Sequence, residues 1–171
     1  MSTPCRSELE STLSSLSGAK HAVTYSSGQS ASFALMVALN PKRVFIHSAG
    51  YHGTHCVLDI LSRLSPIEIK HIEFNQAGLD LRQGDLLWLE SPQNPKGILW
   101  DISLYRQHGV IIAVDSTILP FPLYDPFKYG ADIVMHSCTK YLGGHSDLLG
   151  GVLLTNDEGM ADQVHHSSLC R

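Results

Sequence analysis

Val110-Ile111-Ile112-Ala113-Val114-Asp115 is a near-continuous apolar run that stops on an acid, and Leu86-Leu87-Trp88-Leu89-Glu90 repeats the pattern upstream. Such runs suit strands buried on both faces of a parallel sheet. Working outward, residues 21–25, 43–46, 67–74, 131–137 and 151–155 complete seven strand candidates. Helical stretches alternate with them. Leu9, Leu13 and Leu16 fall at helical spacing within 6–17, ahead of a stop at Gly18. Residues 30–39 read as a helix ended by Asn40-Pro41, and 52–64 as another. Residues 101–108 supply the crossover between the two acid-ended strands. The alternation predicts an α/β fold, a mostly parallel seven-stranded sheet flanked by helices, with residues 1–171 as one unit. In such sheets chemistry gathers beyond the carboxyl ends of the strands.

Composition narrows the class. The chain has 171 residues, within the ~100–200 of one domain. Its 43% hydrophobic content is enough for a core and excludes disorder as the dominant state. Charged residues make up 16%, below the usual ~25%, which predicts surface covered by a partner subunit or another domain. A net charge of −4, with twelve scattered Lys and Arg, argues against nucleic acid. No apolar run approaches the ~20 residues of a membrane span, so no membrane role is expected. The start, Met1-Ser2-Thr3-Pro4-Cys5-Arg6, lacks the pattern of a signal peptide. Cys5, Cys56, Cys138 and Cys170 lie far apart and read as free thiols, in keeping with a cytoplasmic location.

Three features carry chemistry. Ser26-Ser27-Gly28-Gln29-Ser30 joins a strand to a helix, where free backbone N–H groups bind phosphate and glycine permits close approach. Read alone, an ordinary serine-capped turn fits as well. Lys140 follows a buried-strand candidate in Ser137-Cys138-Thr139-Lys140-Tyr141-Leu142-Gly143-Gly144-His145. A lysine desolvated in a sheet-end crevice has a lowered pKa and forms a Schiff base with a carbonyl. Ser137 and Thr139 flank it with hydroxyls suited to a phosphate, although a surface lysine in a glycine-rich loop looks the same. Asp115 ends the most apolar run, where a carboxylate is costly unless paired. A protonated ring nitrogen, a Lys or Arg, or a metal would each serve, and Glu90 shares the ambiguity. One explanation covers all three: pyridoxal 5′-phosphate needs a Schiff-base lysine, an acid for its pyridinium nitrogen and a phosphate cup.

The chain also resembles the cystathionine γ-synthase/γ-lyase (Cys/Met metabolism, trans-sulfuration) group of fold type I pyridoxal-phosphate enzymes, from about Pro4 to about Asp162. The most specific stretch runs from Gly130-Ala131-Asp132 through Ser137 to Asp147, with Gly150-Gly151 after it. Glu90-Ser91-Pro92-Gln93-Asn94-Pro95 and Val114-Asp115-Ser116-Thr117 are further marks. By that similarity Lys140 is the Schiff-base lysine and Asp115 the partner of the ring nitrogen. Tyr51, in Tyr51-His52-Gly53-Thr54, matches the tyrosine that stacks on the cofactor and helps in proton transfer. Ser27, Gly28, Gln29, Ser137 and Thr139 match the phosphate cup, and Asn94 stands near the ring hydroxyl, with Glu90 and Thr117 nearby. The resemblance implies a last strand that is antiparallel, a sulfur-containing or related amino acid as small-molecule substrate, and C–S bond cleavage or formation by β/γ-elimination or replacement. It also implies a homo-oligomer. The Tyr-His-Gly-Thr variant is most similar to relatives in filamentous fungi, a hint of secondary metabolism.

Family members are more than twice this length. The sequence is expected to lack the N-terminal arm that contacts a neighbour's phosphate and the C-terminal small domain that holds the substrate carboxylate. Residues 163–171 read as a divergent tail. Two other readings compete. One is a catalytically inactive fragment that partners a full-length relative. The other is a metal-dependent hydrolase built on His47, His52 and His55, for which no H-E-x-x-H pattern is present.

Overall fold

The two acid-ended runs are adjacent parallel strands at the centre of one sheet. The fold is described from a computed structural model, which covers residues 3–169. In chain order the elements are α1 (Pro4–Ser17), β1 (His21–Tyr25), α2 (Gly28–Leu39), β2 (Arg43–His47), α3 (His52–Leu64), β3 (Glu68–Ile72) and β4 (Leu86–Glu90). A 3-10 helix (Ile102–His108), β5 (Ile111–Asp115), a second 3-10 turn (Pro126–Tyr129), β6 (Ile133–Ser137), β7 (Gly151–Thr155) and α4 (Glu158–Leu169) follow. The strand order is β1-β7-β6-β5-β4-β2-β3. β7 is antiparallel to both its neighbours, and the other pairs are parallel. This is the mostly parallel seven-stranded sheet that the alternation predicted.

Strand residues alternate between two buried layers, as a period of two requires. Leu87, Leu89, Ile112 and Val114 face one core, which is closed by Leu13 of α1 and by Trp100, Ile102 and Tyr105. Leu86, Trp88, Ala113, Ile133 and Met135 face the other, closed by α2, α3 and α4 through residues such as Leu35, Leu58 and Val164. Both faces of β4 and β5 are therefore dry, which is why their sequences do not alternate. By the same parity Glu90, Asp115 and Ser137 point towards the helical side, at the carboxyl ends of three consecutive strands.

Local chemistry sets the boundaries. Ser27 and Ser30 form a reciprocal capping box, so α2 starts at Gly28, two residues before the stretch read as helical. Residues 102–108 form a 3-10 helix rather than the expected crossover α-helix. The segment is short, begins on the Asp101 side chain and ends at Gly109 in the left-handed conformation, leaving no room for further α turns. α4 was not expected from the sequence, and Asp157 steadies its start by accepting a hydrogen bond from the Met160 N–H at 2.7 Å. Among the described residues no helix is long and apolar enough to cross a membrane. Cys5, Cys56 and Cys138 are free thiols, while Cys170 lies outside the described residues.

Candidate functional site

A cavity of about 330 Å³ opens at the carboxyl ends of the strands. Its wall contains Ser27, Gly28, Gln29, Tyr51, Glu90, Asn94, Asp115, Thr117, Ser137, Thr139 and Lys140, every residue singled out for the cofactor. Five elements and their loops bring them together. α2 contributes its cap and first turn, the β2–α3 loop Tyr51, β4 and its following loop Glu90 and Asn94, β5 and its following turn Asp115 and Thr117, and β6 with its turn Ser137, Thr139 and Lys140.

Asp115 forms the floor. It is buried at 5% exposure, and its Oδ1 accepts from the Thr117 N–H at 3.0 Å. Among the described residues it has no ion-pair partner, and burial pushes it up to about 6 against the hydrogen bonds from Thr117. Thr117 also ties the floor to the next strand, since its Oγ1 accepts from the Ser137 N–H at 2.8 Å. Glu90 is half-buried beside Asp115. Its Oε2 accepts from the Tyr51 N–H at 2.7 Å and its Oε1 from the Asn94 N–H at 3.1 Å. Burial first, and the charge of Asp115 second, push Glu90 up to about 7.

The first turn of α2 closes one end. Gly28 and Gln29 occupy its first two positions, whose N–H groups have no acceptor inside the helix. The helix end can approach β6 only because residue 28 lacks a side chain: a Cβ there would stand 2.7 Å from the Cβ of Ser137. Ser27 serves here as the helix cap, accepting from the Ser30 N–H at 3.0 Å. The Gln29 side chain turns away to donate to the Gly53 carbonyl at 3.4 Å, leaving its backbone towards the cavity end. Thr139 is committed to the loop it stands in, for its Oγ1 accepts from the Gly150 N–H at 3.2 Å. Of the two flanking hydroxyls expected for an anion, that of Ser137 is the one beside the α2 end.

Lys140 follows β6 in a turn closed by its own N–H donating to the Ser137 carbonyl at 3.2 Å. It lines the cavity from the open side and is exposed, so burial does not provide the desolvation that the sequence suggested. An open recess of about 850 Å³ adjoins it, bounded by Ile118, Tyr141, Leu148 and Leu149. Tyr51, 48% exposed, stands at the mouth as the residue preceding α3.

Ser32, Thr54, Ile118, Met135 and Leu149 also line the cavity and were not singled out from the sequence. Periodicity offered three of them. Ser32 lies one helical turn after Gly28, Thr54 in the first turn of α3, and Met135 two residues before Ser137 on the same strand face. Ile118 and Leu149 sit in irregular loops that carry no such signal. The histidine run does not converge: His52 Nε2 lies 3.1 Å from Cys56 Sγ, His55 stacks on His71, and His47 Nδ1 accepts from the Ala49 N–H. Among the described residues no group of three or more His, Cys, Asp or Glu is arranged to hold a metal ion.

Comparison with known proteins gives this geometry a context. The model of the family described as "Cys/Met metabolism PLP-dependent enzyme" matches residues 1–169. The chain belongs to that family. Among curated relatives, a cystathionine gamma-synthase of Mycobacterium leprae is 37% identical over 166 residues, covering 91% of this chain and 42% of the relative. A chloroplastic cystathionine beta-lyase of Arabidopsis thaliana is 34% identical, covering 95% and 37%. A mimosinase of Mimosa pudica is 31% identical, covering 95% and 39%. The crystal structure of metB from Corynebacterium glutamicum superposes with a TM-score of 0.87 at 30% identity, over 97% of this chain and 46% of that one. CalE6 from Micromonospora echinospora, titled a cystathione gamma lyase, gives the same TM-score at 29% identity, covering 96% of this chain and 46% of that one. The chain thus spans about two fifths of the length of the curated relatives it matches. Members of the family are PLP-dependent, and the residues of the cavity fit that group. Asp115 is a buried carboxylate without a cationic partner among the described residues, and Gly28 leaves the α2 N–H groups open for an anion.

Proposed function

We propose that this chain binds pyridoxal 5′-phosphate in the cavity at the strand ends, with Lys140 as its covalent anchor. In this reading the chain carries the cofactor centre of a trans-sulfuration-type enzyme that cleaves or forms a C–S bond in a sulfur-containing or related amino acid. One observation carries the reading. Every residue that the cofactor reading chose from the sequence lines the same 330 Å³ cavity, with an unpaired carboxylate at its floor and a lysine at its entrance.

When bound, the cofactor supplies an electron sink that stabilises negative charge at the carbon next to the amino group. The protein's residues do the rest. Asp115 holds positive charge at the floor, and its burial strengthens that attraction. The N–H groups of Gly28 and Gln29, with the Ser137 hydroxyl, hold the phosphate at the positive end of α2. Asn94 would hold the ring hydroxyl, and Tyr51 would cover the ring from the mouth. Lys140 would anchor the cofactor, and its amine would move protons as general base and acid at the open side. The adjoining recess gives an amino acid access to Lys140. A cytoplasmic setting and assembly as a homo-oligomer complete the proposal. A tie to fungal secondary metabolism rests only on the Tyr-His-Gly-Thr stretch.

A second reading has an observation behind it. Leu149 is 77% exposed and Tyr141 65%, so the rim beside Lys140 is apolar and in contact with water. Such a rim supports an inactive cofactor-binding unit covered by a longer relative. Borohydride reduction of the chain with pyridoxal phosphate, followed by peptide mass mapping, tests the main reading. The adduct is expected on Lys140, and an adduct spread over the other lysines would contradict it.

A further inference from the structure

Glu90 ends β4 at the edge of the cavity, yet its carboxylate is turned to the protein backbone. Oε2 accepts from the Tyr51 N–H at 2.7 Å and Oε1 from the Asn94 N–H at 3.1 Å. These two amides belong to different loops. Tyr51 lies between β2 and α3, whereas Asn94 lies beyond β4. A side chain planted on the rigid central sheet therefore ties both loops to it. The sequence makes room for this contact: Gly50 adopts φ 133°, and a Cβ there would stand 2.7 Å from Glu90 Oε2. Only glycine adopts that backbone readily, and only glycine leaves the oxygen its space. Hydrogen bonds to a charged acceptor are among the stronger ones. Both favour the ionised carboxylate against its burial and the neighbouring charge of Asp115.

We propose that Glu90 is a positioning residue, a clasp whose two oxygens fix the Tyr51 and Asn94 backbones and thereby set where the Tyr51 ring and the Asn94 side chain stand over the cavity. The inference rests on the cofactor reading above for its purpose, but the clasp itself is made by the chain's own side chain and backbone. It assigns Glu90 to the backbone of the site rather than to contact with the cofactor. It also explains a glutamate at this strand end without asking it to bind a ligand.

The test compares the 171-residue chain with Glu90→Ala and Glu90→Gln. Amide hydrogen exchange, read residue by residue by NMR without cofactor, reports the clasp directly. In Glu90→Ala the Tyr51 and Asn94 amides are expected to exchange ~10-fold faster or more, while the Thr117 amide held by Asp115 keeps its rate. Glu90→Gln keeps one acceptor oxygen and the volume, so it should protect one of the two amides. It carries the test if the alanine variant does not fold. The dissociation constant for pyridoxal phosphate, measured by titration, is expected to rise ~10-fold in the alanine variant. Unchanged exchange at Tyr51 and Asn94 would overturn the clasp. Released amides with an unchanged dissociation constant would overturn the positioning role. A wild-type chain that binds no pyridoxal phosphate would remove the cofactor reading and the positioning role with it, and the exchange rates would still decide whether the clasp exists.

Discussion

Glu90 and Asp115 are register partners at the ends of β4 and β5, side by side on the helical face of the sheet. Two carboxylates so placed repel each other. Neither has an ion-pair partner among the described residues. N–H groups support them instead, from Tyr51 and Asn94 for Glu90 and from Thr117 for Asp115. A cavity floored this way favours a cation. The pair thus links the sheet register, a matter of folding, to the kind of ligand the site takes.

The pair also makes stability depend on pH. Burial raises Asp115 from 3.8 to about 6, so between those values the folded chain holds a proton the unfolded chain has lost. Stability falls as pH rises through that window, and the penalty is complete above it. Glu90 acts in the same sense from 4.5 to about 7. His136 acts in the opposite sense, because burial holds it down to about 4 and stability is lost as pH falls below 6.5. Lys140 and Tyr51 face the pair across the cavity, and His47 and His55 share a small recess with Glu90. Urea unfolding of Asp115→Asn against wild type isolates one contribution. The variant is expected to be more stable at about pH 8, by on the order of 2–3 kcal/mol, with the difference vanishing below about pH 4.

Thr117 joins Asp115 to Ser137 through both its backbone and its side chain. Thr117→Val keeps the backbone N–H that serves Asp115 but removes the hydroxyl, which hydrogen-bonds Asp115 and whose Oγ1 accepts from the Ser137 N–H at 2.8 Å. A partly buried N–H is left without its acceptor, at a cost of about 1–3 kcal/mol in denaturant unfolding. Cofactor affinity should also fall, because Ser137 and the turn leading to Lys140 lose their tether. Thr117→Ser should restore both.

Gly28→Ala tests the cradle at the start of α2. The added Cβ would stand 2.7 Å from that of Ser137 on β6, so the helix end must move off the sheet. Such overpacking costs about 1–3 kcal/mol. Displacement of pyridoxal phosphate by inorganic phosphate measures the anion site. The variant is expected to bind both more weakly than wild type does.

Most of the fold was legible because its strands are unusually explicit. β4 and β7 fall where their apolar runs fall, and α3 begins and ends with its amphipathic stretch. The start of α2 was missed by two residues, since apolar periodicity begins after the capping box that organises the first turn. The segment at 102–108 has the residues of a helix without the length, and its cap and terminal glycine made it a 3-10 turn. For the site, the residues chosen through chemistry and resemblance line one cavity, but their hydrogen bonds were not legible in the sequence. That Thr139 closes a loop with Gly150 and Glu90 accepts from two backbones depends on contacts between separate segments. Spacing along the chain does not encode such contacts.

The most direct test of the central claim is the visible absorption spectrum of the purified chain with added pyridoxal phosphate, recorded for wild type beside Lys140→Ala. The account predicts the visible band of lysine-bound cofactor in wild type and its absence in the variant. A folded wild-type chain without the band, or the same band in both proteins, would contradict it.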